Sequence, residues 1–105
     1  MKLDQERNLK FLRRRDRLSV YIDILKAILE ECRRSDNGFA KFTRVMYRAN
    51  LSARRLKDRL LELSYLELIK WNEHGLKLTE KGRAFLREVK PFLKILAKYG
   101  VEVST

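Results

Sequence analysis

The sequence predicts a mainly α-helical domain carrying one small β-hairpin, and three observations lead there. Leu56, Leu60 and Leu63 recur at i, i+4 and i+7 inside a basic segment, the spacing of a helix with one buried face. The run after it, Leu66 to Trp71 (LELIKW), alternates and turns through Asn72–Gly75 into Leu76–Leu78, as a short hairpin does. Ahead of the leucine helix stand a shorter helical segment and a tight turn at Asn50-Leu51, with Ser52 placed to cap the leucine helix itself. Helix, turn, helix, hairpin, helix is the order of a winged helix-turn-helix. Here it ends in a C-terminal helix that reads as a dimerisation element.

Residues 1–17 form a basic arm whose apolar positions (Leu3, Leu9, Phe11, Leu12) make a poor helical stripe. Such an arm either contacts phosphates or the minor groove, or is a frayed terminus. Residues 18–80 form the winged unit. Ser19 is expected to cap its first helix, with Tyr21, Ile24, Leu25, Ile28 and Leu29 as the buried face. The run Arg33 to Gly38 (RRSDNG) ends that helix, with cations at its C-terminal dipole end and an Asn-Gly turn. A second helix from about Lys41 to Ala49 buries Val45, Met46 and Phe42; a third spans Ala53 to about Tyr65. Thr79 caps the last helix, within residues 81–105, where Phe85, Val89, Phe92, Leu96 and Tyr99 recur at a heptad-like spacing and Leu93 widens the stripe. Pro91 interrupts this helix, so the expectation is a kink, or a fresh short helix with Pro91 at its first position.

Composition narrows the function. The 105 residues make one domain, with 25 Lys and Arg against 14 Asp and Glu, a formal charge of +11 and a pI near 10.2. Such a balance attracts polyanions, nucleic acid first and an acidic membrane surface second, or it serves solubility alone. The surplus is concentrated, however. Between Lys41 and Arg59 seven basic residues face one acid, Asp58, and the first seventeen residues hold seven against three. Cys32 is the only cysteine, so an intrachain disulfide and a cysteine zinc cluster are both excluded. It continues the series Tyr21, Leu25, Ile28 and reads as a buried structural thiol. No apolar run approaches the ~18–20 residues of a membrane span and no signal-peptide core follows the start, so a cytoplasmic, nucleoid-associated protein is expected. Charged residues at 37% with a single Gln, Gln5, match a trend of hyperthermophile proteins.

These positions supply the candidate DNA-binding residues. Opposite the leucines of the third helix lie Arg54, Asp58 and Leu61, flanked by Arg55 and Lys57. Arg grips guanine O6 and N7 in a fork, while Lys and Ser anchor phosphates; the bland alternative is a solvated, charged helix face. Arg44 and Arg48 belong to the same basic run, and Lys70, Asn72, His74 and Lys77 are available on the wing for backbone phosphates. Leu61 fits neither a DNA-reading face nor a solvated, charged one. His74 is the only histidine and has no partner ligand in the sequence, so neither a metal site nor a general base is expected there.

The segment FTRVMYRANLS…L…LLELSYLELI…LKLTEKG resembles the archaeal winged-helix DNA-binding proteins, in particular the small homodimeric chromatin proteins of the Sulfolobus ten-a type. The likeness covers about Leu18 to Leu86, and TRVMYRANLS and LTEKG are its most specific pieces. It implies a winged helix, an antiparallel pairing of C-terminal helices in an elongated dimer, and binding to double-stranded DNA. It also implies contacts from Thr43, Arg44, Ser52, Arg54, Arg55 and the wing tip Asn72–Gly75. The chain differs from the family at Phe42, at Pro91 and in its longer basic arm.

The leading expectation is therefore a homodimeric, non-enzymatic double-stranded DNA-binding protein, a transcriptional regulator or chromatin protein. Its third helix would enter the major groove, and its dimer interface would comprise Phe85, Val89, Phe92, Leu93, Leu96 and Tyr99. The alternative is a winged helix that meets an acidic protein. RNA binding is weaker because exposed aromatic platforms are few. Catalysis is weakest: there is no glycine-rich phosphate loop, paired histidine or nucleophile elbow, and no cofactor is expected.

Overall fold

In a computed structural model that describes residues 17–101, four helices and one hairpin succeed one another in the expected order. They are α1 (Arg17–Arg34), α2 (Phe42–Ala49), α3 (Ala53–Tyr65), β1 (Ile69–Asn72), β2 (Gly75–Leu78) and α4 (Glu80–Lys98). The fold is thus mainly helical with a two-stranded antiparallel wing. The basic arm, apart from Arg17, lies outside the described residues, as do residues 102–105.

α1 is the central helix, and it packs against α2, β2 and α4. Because neighbours surround it, its buried surface is wider than one stripe: Ile22 and Ala27 join Ile24, Leu25 and Ile28 in the core, while Tyr21 and Leu29 are only partly covered. Ser19 corrects the expected cap. It lies two residues inside α1, buried, where helix geometry turns it toward the core three residues before Ile22.

The helix-turn-helix closes as its residues require. Asn50 adopts the left-handed conformation (φ 56°), and the Leu51 N–H reaches back to the Met46 carbonyl at 3.1 Å, which ends α2. Ser52 caps α3 by accepting from the Arg55 N–H at 3.3 Å. Leu56, Leu60 and Leu63 are wholly buried.

The end of α3 corrects the first strand. Leu66 and Leu68 donate to the Glu62 and Leu63 carbonyls, and Glu67 turns left-handed (φ 62°), so pairing begins at Ile69 rather than Leu66. Alternation in LELI was real, but those residues complete a helix stop before the chain extends. The hairpin register pairs Ile69 with Leu78, Trp71 with Leu76 and Asn72 with Gly75. Ala40 adds a single-residue rung, exchanging two 2.8 Å bonds with Leu76. Gly75 has φ +127°, and a Cβ there would lie 2.5 Å from the Ala40 carbonyl oxygen, so this rung requires glycine.

The LTEKG segment fastens α4 to the end of α3. The Thr79 N–H donates to the Leu68 carbonyl at 3.1 Å, its hydroxyl donates to Glu67 O at 2.6 Å, and its Oγ1 accepts from the Gly82 N–H at 3.0 Å. Lys81 Nζ donates to Leu66 O at 2.9 Å. Gly82 lies so close that a Cβ would stand 2.1 Å from the Leu68 oxygen.

α4 then runs unbroken through Pro91, which corrects the expectation of a fresh helix there. Pro91 is exposed and withholds an N–H from the preceding turn. The apolar stripe divides: Phe85, Leu86, Val89 and Leu93 pack on the core, while Phe92, Ile95 and Tyr99 are exposed.

Two stability changes are expected. Gly82→Ala should destabilise by about 1–3 kcal/mol, as overpacking against backbone does, with a lowered thermal midpoint as the readout. Glu67→Gly should stabilise by about 0.5–1 kcal/mol, since an exposed left-handed residue is relieved of its Cβ conflict at some cost in chain entropy; an unchanged or lower midpoint would refute strain at this stop.

Candidate nucleic-acid interface

Burying the three leucines of α3 turns its remaining surface outward. Arg54, Arg55, Lys57 and Asp58 are all exposed, and the three cations have no ion-pair partner among the described residues. Arg59 differs: its guanidinium meets Glu62 at 3.0 Å. Ser52 spends its hydroxyl on the helix cap, so its placement is structural before it is anything else. Past Asp58 the exposed face becomes apolar. Leu61 and Tyr65 stand in the open and border a shallow notch with Arg17, Tyr21 and Leu66. Leu61 thus belongs to an apolar patch on the C-terminal half of α3, separate from the basic half.

α2 contributes Thr43, Arg44 and Arg48, all on its exposed side. The two arginines are tied at one end. Glu31 of α1 is buried, and its carboxylate accepts from Arg48 Nε at 2.7 Å and from Arg44 Nε at 3.3 Å. The Arg48 hydrogen bond, with Arg44 behind it, holds the Glu31 carboxyl below its ordinary range against the opposing effect of burial. The clamp fixes α2 on α1, while the Arg44 side chain stays 62% exposed. Sequence reasoning missed Glu31, although a signal existed: it is an acid at the i+7 position of the apolar face Ile24, Ala27, Ile28.

On the wing, Lys70 stands directly opposite Lys77. Like charges placed so repel each other, and a bound anion would relieve them. Asn72 Oδ1 accepts from the His74 N–H at 2.8 Å and shapes the turn. Phe39 packs beneath this tip, its ring 5.7 Å from that of His74 and 5.3 Å from Lys77 Nζ. Trp71 stacks on Phe42 with centroids 6.0 Å apart, joining the wing to the first turn of α2. Phe39 and Trp71 were not singled out from the sequence, because their partners lie about thirty residues away.

Among the described residues no three His, Cys, Asp or Glu side chains are grouped to hold a metal. Cys32 is half-buried and donates its S–H to the Leu76 carbonyl at 3.4 Å, and burial pushes its thiol up. No described helix is long and apolar enough to cross a membrane.

Residues 14–97, most of the chain, match the model of a family described as winged helix-turn-helix. No curated protein matches the sequence significantly.

The Glu31 clamp sets a pH dependence. Its folded carboxyl lies below the ordinary 4.5, so its stabilisation is complete above that value and is lost as pH falls through the folded value. Urea melts of wild type and Glu31→Gln should therefore differ most at neutral pH and converge as pH falls below the folded carboxyl's lowered value, where both side chains are neutral. A gap that stays constant with pH would show that the carboxylate charge is not what holds α2.

Proposed function

The chain belongs to the winged helix-turn-helix family, and from that premise we propose that it is a non-enzymatic, homodimeric double-stranded DNA-binding protein. The observation that carries the reading is the pairing state of α3: Arg54, Arg55 and Lys57 are exposed on its N-terminal half and have no partner acids among the described residues. Cations left free in this way exchange bound counterions for DNA phosphates, and an arginine at the start of a major-groove helix reaches guanine in bidentate fashion. Thr43, Arg44 and Arg48 on α2 and Asn72, His74 and Lys77 on the wing flank that helix as backbone contacts, with the Lys70–Lys77 repulsion supporting an anion at the wing. Ser52 acts by presenting the first turn of α3.

The dimer reading rests on α4. Phe92, Ile95 and Tyr99 remain uncovered, whereas Phe85, Val89 and Leu93 already pack within the protomer. The interface is thus proposed on the second half of α4, with residues 18–80 as the DNA-reading unit. Asp58 on the exposed face repels phosphate and favours sequence discrimination, as in a regulator, over charge attraction alone. The resemblance to archaeal chromatin proteins supports the same ligand and a cytoplasmic, nucleoid-associated location. A second reading, contact with a protein partner, is favoured by one observation only, the exposed Leu61 and Tyr65.

Two measurements test these proposals. Arg54→Ala with Arg55→Ala should weaken duplex binding by about tenfold or more per lost contact while the thermal melt stays within a degree or two; a collapsed melt would mean the arginines are structural. Replacing Phe92 and Leu96 with polar residues should yield monomers in light scattering, and an unaltered mass would rule out this part of α4 as the seam.

A further inference from the structure

A second basic surface lies away from the recognition helix. α4 packs along α1 to leave a cleft of about 510 Å³ lined by Lys26, Arg33, Arg83, Arg87 and Lys90, with Leu29 and Leu86 among its apolar walls. Glu30 is the only acid lining it, and it is shared between Arg33 at 3.8 Å and Arg34 at 3.6 Å. Arg83 has one long contact with Glu80, at 3.8 Å, while Lys26, Arg87 and Lys90 have no ion pair among the described residues. Five cations and one engaged acid in a single cleft repel one another unless an anion lies between them.

Helix geometry gives this charge a direction. Arg83, Arg87, Lys90 and Lys94 fall within a narrow sector of α4, at i, i+4, i+7 and i+11, and form a stripe roughly 16 Å long. Over that length a duplex presents about five phosphates on each strand. The stripe lies well around α4 from Phe92, Ile95 and Tyr99, so covering those residues leaves it open. On α1, Lys26, Leu29, Glu30 and Arg33 share one face, and Glu31, which holds α2, points to the other side, roughly 150° from the centre of that face. Tyr21, whose hydroxyl donates to Glu62 of α3, lies about 130° around α1 from the cleft face, so α3 and the cleft are on different sides of α1.

We infer that the α1–α4 cleft is a second, sequence-independent DNA-binding surface that grips the phosphate backbone of a separate double-stranded segment. Each protomer then holds two duplexes, one read by α3 and the wing and one held by the cleft. This rests on the proposed DNA binding only in the choice of polyanion, and the test separates the two.

The test is the stoichiometry of full-length protein with a short random duplex at low salt, measured by analytical ultracentrifugation. Wild type is expected to bind two duplexes per protomer, and Arg87→Ala with Lys90→Ala to bind one, with an unchanged melt because both side chains are exposed and unpaired. Arg54→Ala with Arg55→Ala is also expected to bind one, retained in the cleft. One duplex per protomer in wild type and in the cleft variant, with none in the α3 variant, would overturn the cleft and leave the α3 reading standing. Loss of binding confined to the cleft variant would overturn the α3 reading instead. An acidic polypeptide that displaces the cleft-bound duplex at far lower charge concentration than DNA would also overturn the inference, because the cleft would then be a protein-docking surface.

Discussion

Everything in this molecule depends on which side of α3 is buried. Leu56, Leu60 and Leu63 are fully enclosed, and each such burial contributes about 1.5–3 kcal/mol. Turning the helix by even one position would bring these side chains to water and press Arg55 or Lys57 into the apolar core. The rotation of α3 is thus fixed by hydrophobic burial, and the direction of its cations is set with it. Hydrophobic periodicity and basic surface are two consequences of one constraint.

The surrounding contacts fix where that helix begins, where it ends and what stands beside it. Asn50 and Ser52 set its start; the left-handed Glu67 sets its end. The carbonyls of Leu66, Glu67 and Leu68 then receive Lys81 and Thr79, so the end of α3 and the start of α4 are one hydrogen-bonded unit. Glu31 fastens α2, and the Phe42–Trp71 stack joins α2 to the wing. The LTEKG segment makes backbone and packing contacts here, so its residues serve a junction in the scaffold.

Local signals were the ones legible in the sequence. The caps Ser52 and Thr79 bond to N–H groups three residues away, and the leucine period of α3 is a property of one helix, so both could be read without knowing the fold. The features that escaped notice depend on distant segments. Ala40 pairs with Leu76, Glu31 meets Arg44 and Arg48, and Phe39 supports His74 and Lys77. Two local signals misled for a physical reason. Ser19 is a good cap residue used inside a helix, and LELI alternates in a stretch that serves as a helix stop. The stripe of α4 was visible as a period, but a period does not say which residues meet their own core and which remain uncovered. The basic sector on the opposite side of the same helix faces Lys26 and Arg33 of α1, a juxtaposition that the period of one helix does not contain.

The most direct test of the proposed DNA-reading surface is an amide NMR titration of the full chain with substoichiometric random duplex. The first and largest shifts are expected at residues 53–58 and 72–77, with residues 61–66 nearly still, because the basic half of α3 and the wing would meet the phosphates while the apolar half stays clear. Shifts concentrated at 61–66, with 53–58 silent, would contradict the assignment of α3 as the DNA-reading helix and would make its apolar half the working surface.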